Sequence, residues 1–455
     1  LLFGLGCAWL LATPVLAQTP ESASQDPPAA ETPQTPEQRI EELDQKVRIL
    51  ERRGEVADEQ AAEKAKSAAS VTAGRDGFSI RSADNAFQLR LRGYVQLDGR
   101  FYQDEHLRRG VDTFVIRRAR PILEGTVFKI FDFRLMPDFG GGTTVLQDAY
   151  VNARFLPVFQ VRAGKFKPPV GLERLQSATD ILFVERALPT NLVPNRDLGV
   201  QLQGDFGGSA GNRVSYALGV FNGVADAGSG DLDSNNGKDT AGRIFFTPVK
   251  GLGFGIAGST GNQSGTTAAT GLASYKTGGQ LTFFSYRADG TAAGTTLADG
   301  RRQRLSPQGY WYAGPFGLLA EYVRSSQEVR RGVTSARIEN DAWQAAASYV
   351  LFGGEPSYRG VDPKQPFDAS QHHWGALELA ARYNRLNVDD KAFPLFANPA
   401  SAASRATAWA VGLNWYLTRG VRFMLDYEQT RFTGGAAAGD RPDEKVVLDR
   451  IQISF

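Results

Sequence analysis

The chain has 455 residues, 42% of them hydrophobic, a formal charge of +2 and a mean hydropathy of −0.29. After the first 17 residues no apolar run approaches the roughly 18 that a membrane-crossing helix needs, which excludes a helical membrane protein. Membrane β-strands escape that test, because only every second residue faces lipid. Lys and Arg (51) nearly balance Asp and Glu (49) without a long basic block, so no nucleic-acid partner is expected. Where the charges point matters more than their sum.

Residues 1–16, LLFGLGCAWLLATPVL, form an apolar stretch followed by Ala17. Small residues before the cut predict an export signal over 1–17, with a short buried helix as the competing reading. Cys7, the one cysteine, lies inside it, so the rest of the chain has neither a disulfide nor a thiol nucleophile. Residues 18–36, rich in Pro, Thr, Ala, Gln and Glu, read as a disordered linker. Over 37–72 the pattern turns helical, and Ile40, Leu43, Val47 and Leu50 fall at a/d spacing, a short coiled-coil signal. Two heptads are marginal, so a solvated lone helix competes with self-association in the periplasm.

From Phe87 the period becomes two. Leu89, Leu91, Val95 and Leu97 share one face while Arg90, Arg92, Gln96 and Asp98 share the other. Such segments recur near 87–102, 113–128, 131–139, 145–156, 158–167, 198–206, 212–224, 239–248, 251–262, 301–313, 316–330, 336–352, 373–388, 405–417, 420–433 and 444–455. Sixteen is an even number, as a barrel with both termini in the periplasm requires. The strand-like stretch 275–287 is assigned to a loop to keep that parity. Short connectors alternate with long polar ones, except that 353–372 is long where a short turn is expected. Every second strand ends near an aromatic: Phe128, Phe155, Phe206, Phe246, Tyr312, Phe352, Tyr416 and Phe455. Rings at one level form the girdle of a membrane interface. The predicted fold is all-β and transmembrane, a sixteen-stranded antiparallel outer-membrane barrel over 78–455, in contact with outer-membrane lipid. A secreted soluble β-protein and a sealed structural or adhesive barrel are the alternatives.

With the apolar faces outward, the lumen receives Arg90, Arg92, Arg100, Arg118, Arg120, Arg134, Arg154, Arg162, Arg382, Arg422 and Arg450. Asp98, Glu124, Asp132, Asp148, Glu378, Asp426 and Glu428 join them, and many arginines could simply pair with these carboxylates. Rings of Arg or Lys in a pore select anions, and a guanidinium matches phosphate bidentately. The 30-residue connector 168–197 is too long for an idle turn. It is expected to fold into the lumen and narrow it, with Glu173, Arg174, Glu185 and Arg186 lining the constriction and Lys165 and Lys167 at its root.

The run VRAGKFKPPVGLERLQSATDILFVERALPTNLVPNRDLGVQLQGDF, with DTFVIRRARPILEGTVFKIFDFRLMPDF before it, resembles the phosphate-selective porin O and P family. Stretches 299–323 and 414–432 resemble it too. The resemblance implies a homotrimer of sixteen-stranded barrels, each with an arginine ladder leading to a constriction. The matching positions are Arg117, Arg118 and Arg120, with Asp148 and Lys165 or Lys167. It implies passive diffusion of small anions (phosphate, polyphosphate, chloride), with a general or organic-anion porin as the alternative. No enzyme, cofactor or metal is expected. The Gly253-Phe-Gly255-Ile-Ala-Gly258 motif sits inside a strand pattern with no helix following. The Asp231–Asn235 run lacks the glycine and glutamate of a calcium loop.

Overall fold

The computed structural model describes residues 35–74, 77–103, 110–208, 211–233 and 235–455. The expected export signal and all of the linker except Thr35 and Pro36 lie outside these residues. Helix α1 (Pro36–Ser67) opens on a Pro at its first position and a reciprocal cap. The Gln38 amide N–H donates to Thr35 Oγ1 (3.4 Å) while Gln38 Oε1 accepts from the Thr35 N–H (3.1 Å). Pairs one turn apart, Lys46–Glu42 (2.6 Å) and Arg48–Asp44 (2.8 Å), brace its surface.

The predicted helical segment 37–72 needs correction at both ends. Pro36 belongs to the helix, and residues 70–72 belong to a strand. Strands β1 (Ser70–Gly74) and β2 (Gly77–Arg81) form a hairpin in the register Val71↔Ile80 and Thr72↔Ser79. The β-branched pair Val71-Thr72 favours a pleated surface over a helix. Strand β2 then pairs with the start of the first long strand, Phe78 opposite Leu91.

Sixteen strands follow: β3 (Gln88–Tyr102), β4 (Thr113–Val127), β5 (Phe131–Asp138), β6 (Val145–Leu156), β7 (Phe159–Phe166), β8 (Asp197–Gly208), β9 (Gly211–Phe221), β10 (Asp239–Val249) and β11 (Leu252–Ser264) come before a two-stranded hairpin set apart from the main sheet, β12 (Tyr275–Lys276) and β13 (Thr282–Phe284). The barrel resumes with β14 (Thr296–Ala313), β15 (Phe316–Arg331), β16 (Thr334–Phe352), β17 (Ala376–Asn387), β18 (Ala403–Tyr416) and β19 (Val421–Ala436). After the two-residue β20 (Gly439–Asp440), β21 (Glu444–Ser454) pairs with β3, Ile451 opposite Leu97, and closes the cylinder. The strand-like 275–287 stays out of the wall, so the count is sixteen.

Closure removes the sheet edges, and the pleat does the rest. On β3, Leu89, Leu91, Val95 and Leu97 are exposed outward while Gln96 and Asp98 are buried. Six of the eight strand-end aromatics are exposed, from Phe128 to Phe455. Tyr416 is not: it is buried, its hydroxyl donating to Glu378 Oε2 at 2.7 Å. Tyr312 is half-buried, and Trp311, one residue before it, takes the exposed place. Neighbouring residues alternate sides, so an aromatic one position out of phase serves the interior.

Three connectors fold inward. The segment between β7 and β8 crosses the lumen and hydrogen-bonds to strands far around the wall. Leu172 N–H donates to Glu321 on β15 (2.6 Å), Leu188 N–H to Asn384 on β17 (3.1 Å), and Val184 N–H to Asp426 on β19 (2.6 Å). Residues 265–295, carrying β12 and β13, bring Tyr275, Phe283 and Phe284 against the inward Val323, Ile338, Leu386 and Ala406 of β15–β18. At the short-turn end the 353–375 connector also enters the barrel. Tyr358 stacks on Tyr310 (5.0 Å) and donates to the Leu172 carbonyl (2.6 Å). The inward faces of β15–β18 are therefore partly apolar, where an all-polar lumen was expected.

Candidate permeation path

The opposite side of the lumen, under β3–β7, stays open. A cavity of about 1200 Å³ runs along it, bounded by Lys250 and Arg419 at the short-turn end and by Gly140, Gly141 and Thr143 at the long-loop end. Among the described residues its lining carries twelve arginines and three lysines against five acidic side chains, so the cavity is strongly cationic although the chain is nearly neutral.

The arginines of β4 owe their direction to a bulge. Register runs Gln96↔Arg118 and then Leu97↔Ile116, which leaves Arg117 as the extra residue. A bulge lets two consecutive side chains share one side. Arg117 and Arg118 accordingly both reach Glu185 of the inserted loop. Arg117 Nη2 lies 3.2 Å from Glu185 Oε2 while its Nε bonds Oε1, and Arg118 Nη2 lies 3.8 Å from Oε2. Arg100 approaches the same carboxylate at 3.6 Å. Arg118 also donates to Gln96 Oε1 (2.7 Å), and Arg120 to Asp138 Oδ2 and the Tyr94 hydroxyl (both 2.7 Å).

Deeper along the wall the cations are held by fewer carboxylates. Lys167 Nζ donates to the Gln176 carbonyl at 2.7 Å. Arg186 donates to the Glu173 and Gln176 carbonyls (3.0 and 2.9 Å), and Arg174 to the Thr190 carbonyl (2.5 Å). Backbone carbonyls orient these heads without neutralising them, and Lys167, Arg174, Arg186 and Arg196 repel one another. Asp148 accepts from Arg196 Nε (3.1 Å) and faces Arg134 at 3.9 Å. Arg162 lies over the Tyr150 ring, 4.6 Å from its centroid.

Ten of the sixteen residues expected along the path and its constriction line this cavity (Arg92, Arg117, Arg118, Arg120, Arg134, Asp148, Arg162, Lys167, Arg174 and Arg186), as does Arg422 of the wider lumenal set. Six do not. Arg90 is partly exposed, 3.5 Å from Glu124, and Arg154 pairs with Asp132 at 2.7 Å. Arg100 stops at Glu185. Lys165 is buried in an ion pair with Asp231, which corrects its expected place beside the path. The two Glu-Arg pairs of the loop split. Arg174 and Arg186 turn to the cavity, while Glu173 and Glu185 are buried and turn to the wall. Glu173 Oε2 accepts from Gln344 (3.0 Å) and from the Ala187 N–H (2.9 Å). Reading the sequence also missed Arg196 and, on the inward 353–375 connector, Arg359 and Lys364. Arg196 could have been found as the counterpart of Lys167 at the loop's second root.

The sequence signature described as phosphate-selective porin O and P matches residues 87–455. The chain has no sequence match among curated proteins. The fold is shared with the outer membrane channel DcaP of Acinetobacter baumannii, with a TM-score of 0.54 at 12% identity, covering 83% of this chain and 99% of that one. It is shared too with an anion-selective porin from Comamonas acidovorans (TM-score 0.51, 12% identity, 81% and 100% covered). OmpT of Vibrio cholerae, expressed in the outer membrane, has a TM-score of 0.51 at 12% identity, with 81% and 98% covered. At such identities the likeness is one of fold. Together with the closed sixteen-strand barrel, the match over 87–455 places the chain in the phosphate-selective porin O and P family, as a β-barrel porin of the bacterial outer membrane.

Proposed function

We propose that the barrel conducts small anions by passive diffusion along the β3–β7 wall, phosphate and polyphosphate among them with chloride. The observation that carries this is the lining of the cavity, fifteen cationic side chains to five acidic ones. Basic rings select anions when each site is strong enough to admit an ion and weak enough to release it. Lys167, Arg174 and Arg186 meet that condition: crowded together with Arg196, they gain from a visiting anion, and the carbonyls that orient them stay in place when it leaves. Arg117, Arg118 and Arg120 form the approach from the long-loop end, and the inserted loop narrows the passage. Guanidinium pairs favour tetrahedral oxyanions over chloride through bidentate contact. The similar fold of an anion-selective porin supports the reading.

Reversal potentials of single channels in a KCl gradient test it. An anion-selective potential is expected, and cation preference would overturn the proposal. Phosphate blocking the chloride current at low concentration is the expected sign of oxyanion preference. An unblocked current would leave a general anion porin. We propose further that the chain works as a homotrimer. Strands β5 and β7 have eight residues each. That gives roughly 26 Å of strand and about 20 Å of height once tilted, less than the ~25 Å apolar band. A neighbouring barrel would cover that low side, and a monomeric mass in mild detergent would refute it.

A further inference from the structure

We infer that helix α1 is a self-association surface whose partner is the same helix of another copy, parallel and in register. The inference is independent of what the barrel conducts. Ile40, Leu43, Val47 and Leu50 lie along one stripe at a/d spacing, and each is at least 50% exposed. Apolar residues in that arrangement need a partner helix to bury them. An exposed stripe alone does not say which partner. The flanking charges do.

Counting from Ile40 as position a, the g positions are Arg39, Lys46 and Arg53, and the e positions are Asp44, Glu51 and Asp58. All three g residues are basic and all three e residues acidic. In a parallel, in-register pair each g faces the e residue five positions further along the other helix. Arg39 then meets Asp44, Lys46 meets Glu51, and Arg53 meets Asp58, so every pair is of opposite charge. Turned antiparallel, g would meet g and e would meet e, and every pair would repel. A one-heptad slip would lose two of the four apolar layers of the seam. The pattern thus selects both orientation and register, and a helix that merely stayed in water would have no use for it.

The competing local pairs give way easily. Lys46 bonds Glu42 and Asp44 bonds Arg48, all on exposed surface where such pairs contribute little. The seam thins at the next layer, Gly54 and Ala57. A Cβ added at Gly54 would meet nothing within 4 Å, so that position is an unfilled place in the stripe. Two apolar heptads do not hold helices together from dilute solution. The helix therefore reinforces an association in which the copies are already near, and sets their register.

Full-length chain in detergent, in a Cys7→Ser background, tests this by disulfide trapping. Leu50→Cys, on the seam, should link copies under mild oxidation about tenfold faster than Arg52→Cys on the opposite face of the helix. Equal rates would overturn the inference. Reversing the e positions together (Asp44→Lys, Glu51→Lys, Asp58→Lys) should slow trapping at Leu50→Cys by about tenfold, and Gly54→Ile should speed it. Undiminished trapping after the reversal would equally overturn it. All the substitutions lie outside the sixteen strands. The shift in gel mobility on heating, measured for every variant, reports that the barrel itself has formed.

Discussion

Replacing Lys167 by Gln isolates the charge in the cationic cluster from its geometry. The lysine donates to the Gln176 carbonyl at 2.7 Å and to the Leu175 carbonyl at 3.4 Å. A glutamine amide can keep such a bond, so the loop stays anchored while one positive charge disappears. An anion held by the neighbouring guanidiniums would sit about 4 Å from the ammonium, where attraction is worth ~1 kcal/mol in water and ~4 at an effective dielectric of 20. The path is wet, so about 1–2 kcal/mol is appropriate, which lowers anion occupancy by about 5- to 30-fold. Single-channel conductance and reversal potential in dilute KCl read this directly. In about 1 M salt, where the screening length falls to ~3 Å, the difference should nearly vanish. Arg154→Gln is the control, since Arg154 is paired with Asp132 and lies off the cavity. A Lys167→Gln channel that conducts anions normally at low salt would refute the electrostatic argument. So would an equal loss in Arg154→Gln.

Three further outcomes follow from single contacts. Glu185→Gln removes the carboxylate shared by Arg100, Arg117 and Arg118. It should cost about 3 kcal/mol of stability, read as a lowered denaturation midpoint of the barrel, while increasing anion preference, and an unchanged midpoint would mean these arginines do not depend on it. Phe183→Ala empties a site packed against Ala346, Ala380 and Ala410, with Arg382 over the ring at 4.3 Å. About 3–5 kcal/mol of packing is lost, and the inserted loop should loosen into a larger, noisier conductance, so a quiet wild-type channel would contradict its anchoring role. Gly164→Val sets a Cβ 2.2 Å from the Ala149 carbonyl at a φ of +127°. It should cut the yield of heat-modifiable barrel about tenfold or more, whereas Gly242→Ala, whose nearest neighbour is 3.5 Å away, should assemble normally.

Much of this architecture is legible in the sequence because a membrane strand repeats every two residues and the closed barrel enforces that repeat on every strand. Leu89, Leu91, Val95 and Leu97 could be assigned outward with no knowledge of their neighbours. The same rule misleads at Arg117. Strict alternation points Arg117 and Arg118 to opposite sides, and only the bulge opposite Leu97 brings both inward. It misleads at Tyr416 as well, where being near the strand end is not enough without the right parity. Inward-folding connectors are less legible still, since a loop's direction is set by distant partners. Nothing local to Val184 reveals that its N–H meets Asp426 across the lumen. Nor does anything local to Glu185 reveal three arginines from β3 and β4. The hairpin over 70–81 was obscured by the Ala- and Lys-rich helix that runs into it.

The loops that were hardest to anticipate explain why the path is one-sided. Tyr275, Phe283 and Phe284 pack with Leu188 and Leu192 against β15–β18, which closes that half of the lumen with apolar contacts. The open cavity is thereby confined to the wall that carries Arg117, Arg118 and Arg120 on one side, with Arg174 and Arg186 of the inserted loop on the other, which is the route proposed for a passing ion. Low-dielectric packing behind the loop also reduces screening of those charges, so each cation acts more strongly on the ion than it would in an open, water-filled cylinder. The acidic residues take part by being elsewhere. Glu173, Glu185 and Asp426 are buried as anchors of the loop, and what they hold in place is a passage facing positive charge. On the proposed path, selectivity therefore depends on which side of the loop each charge is turned to, and hardly at all on a net charge of +2.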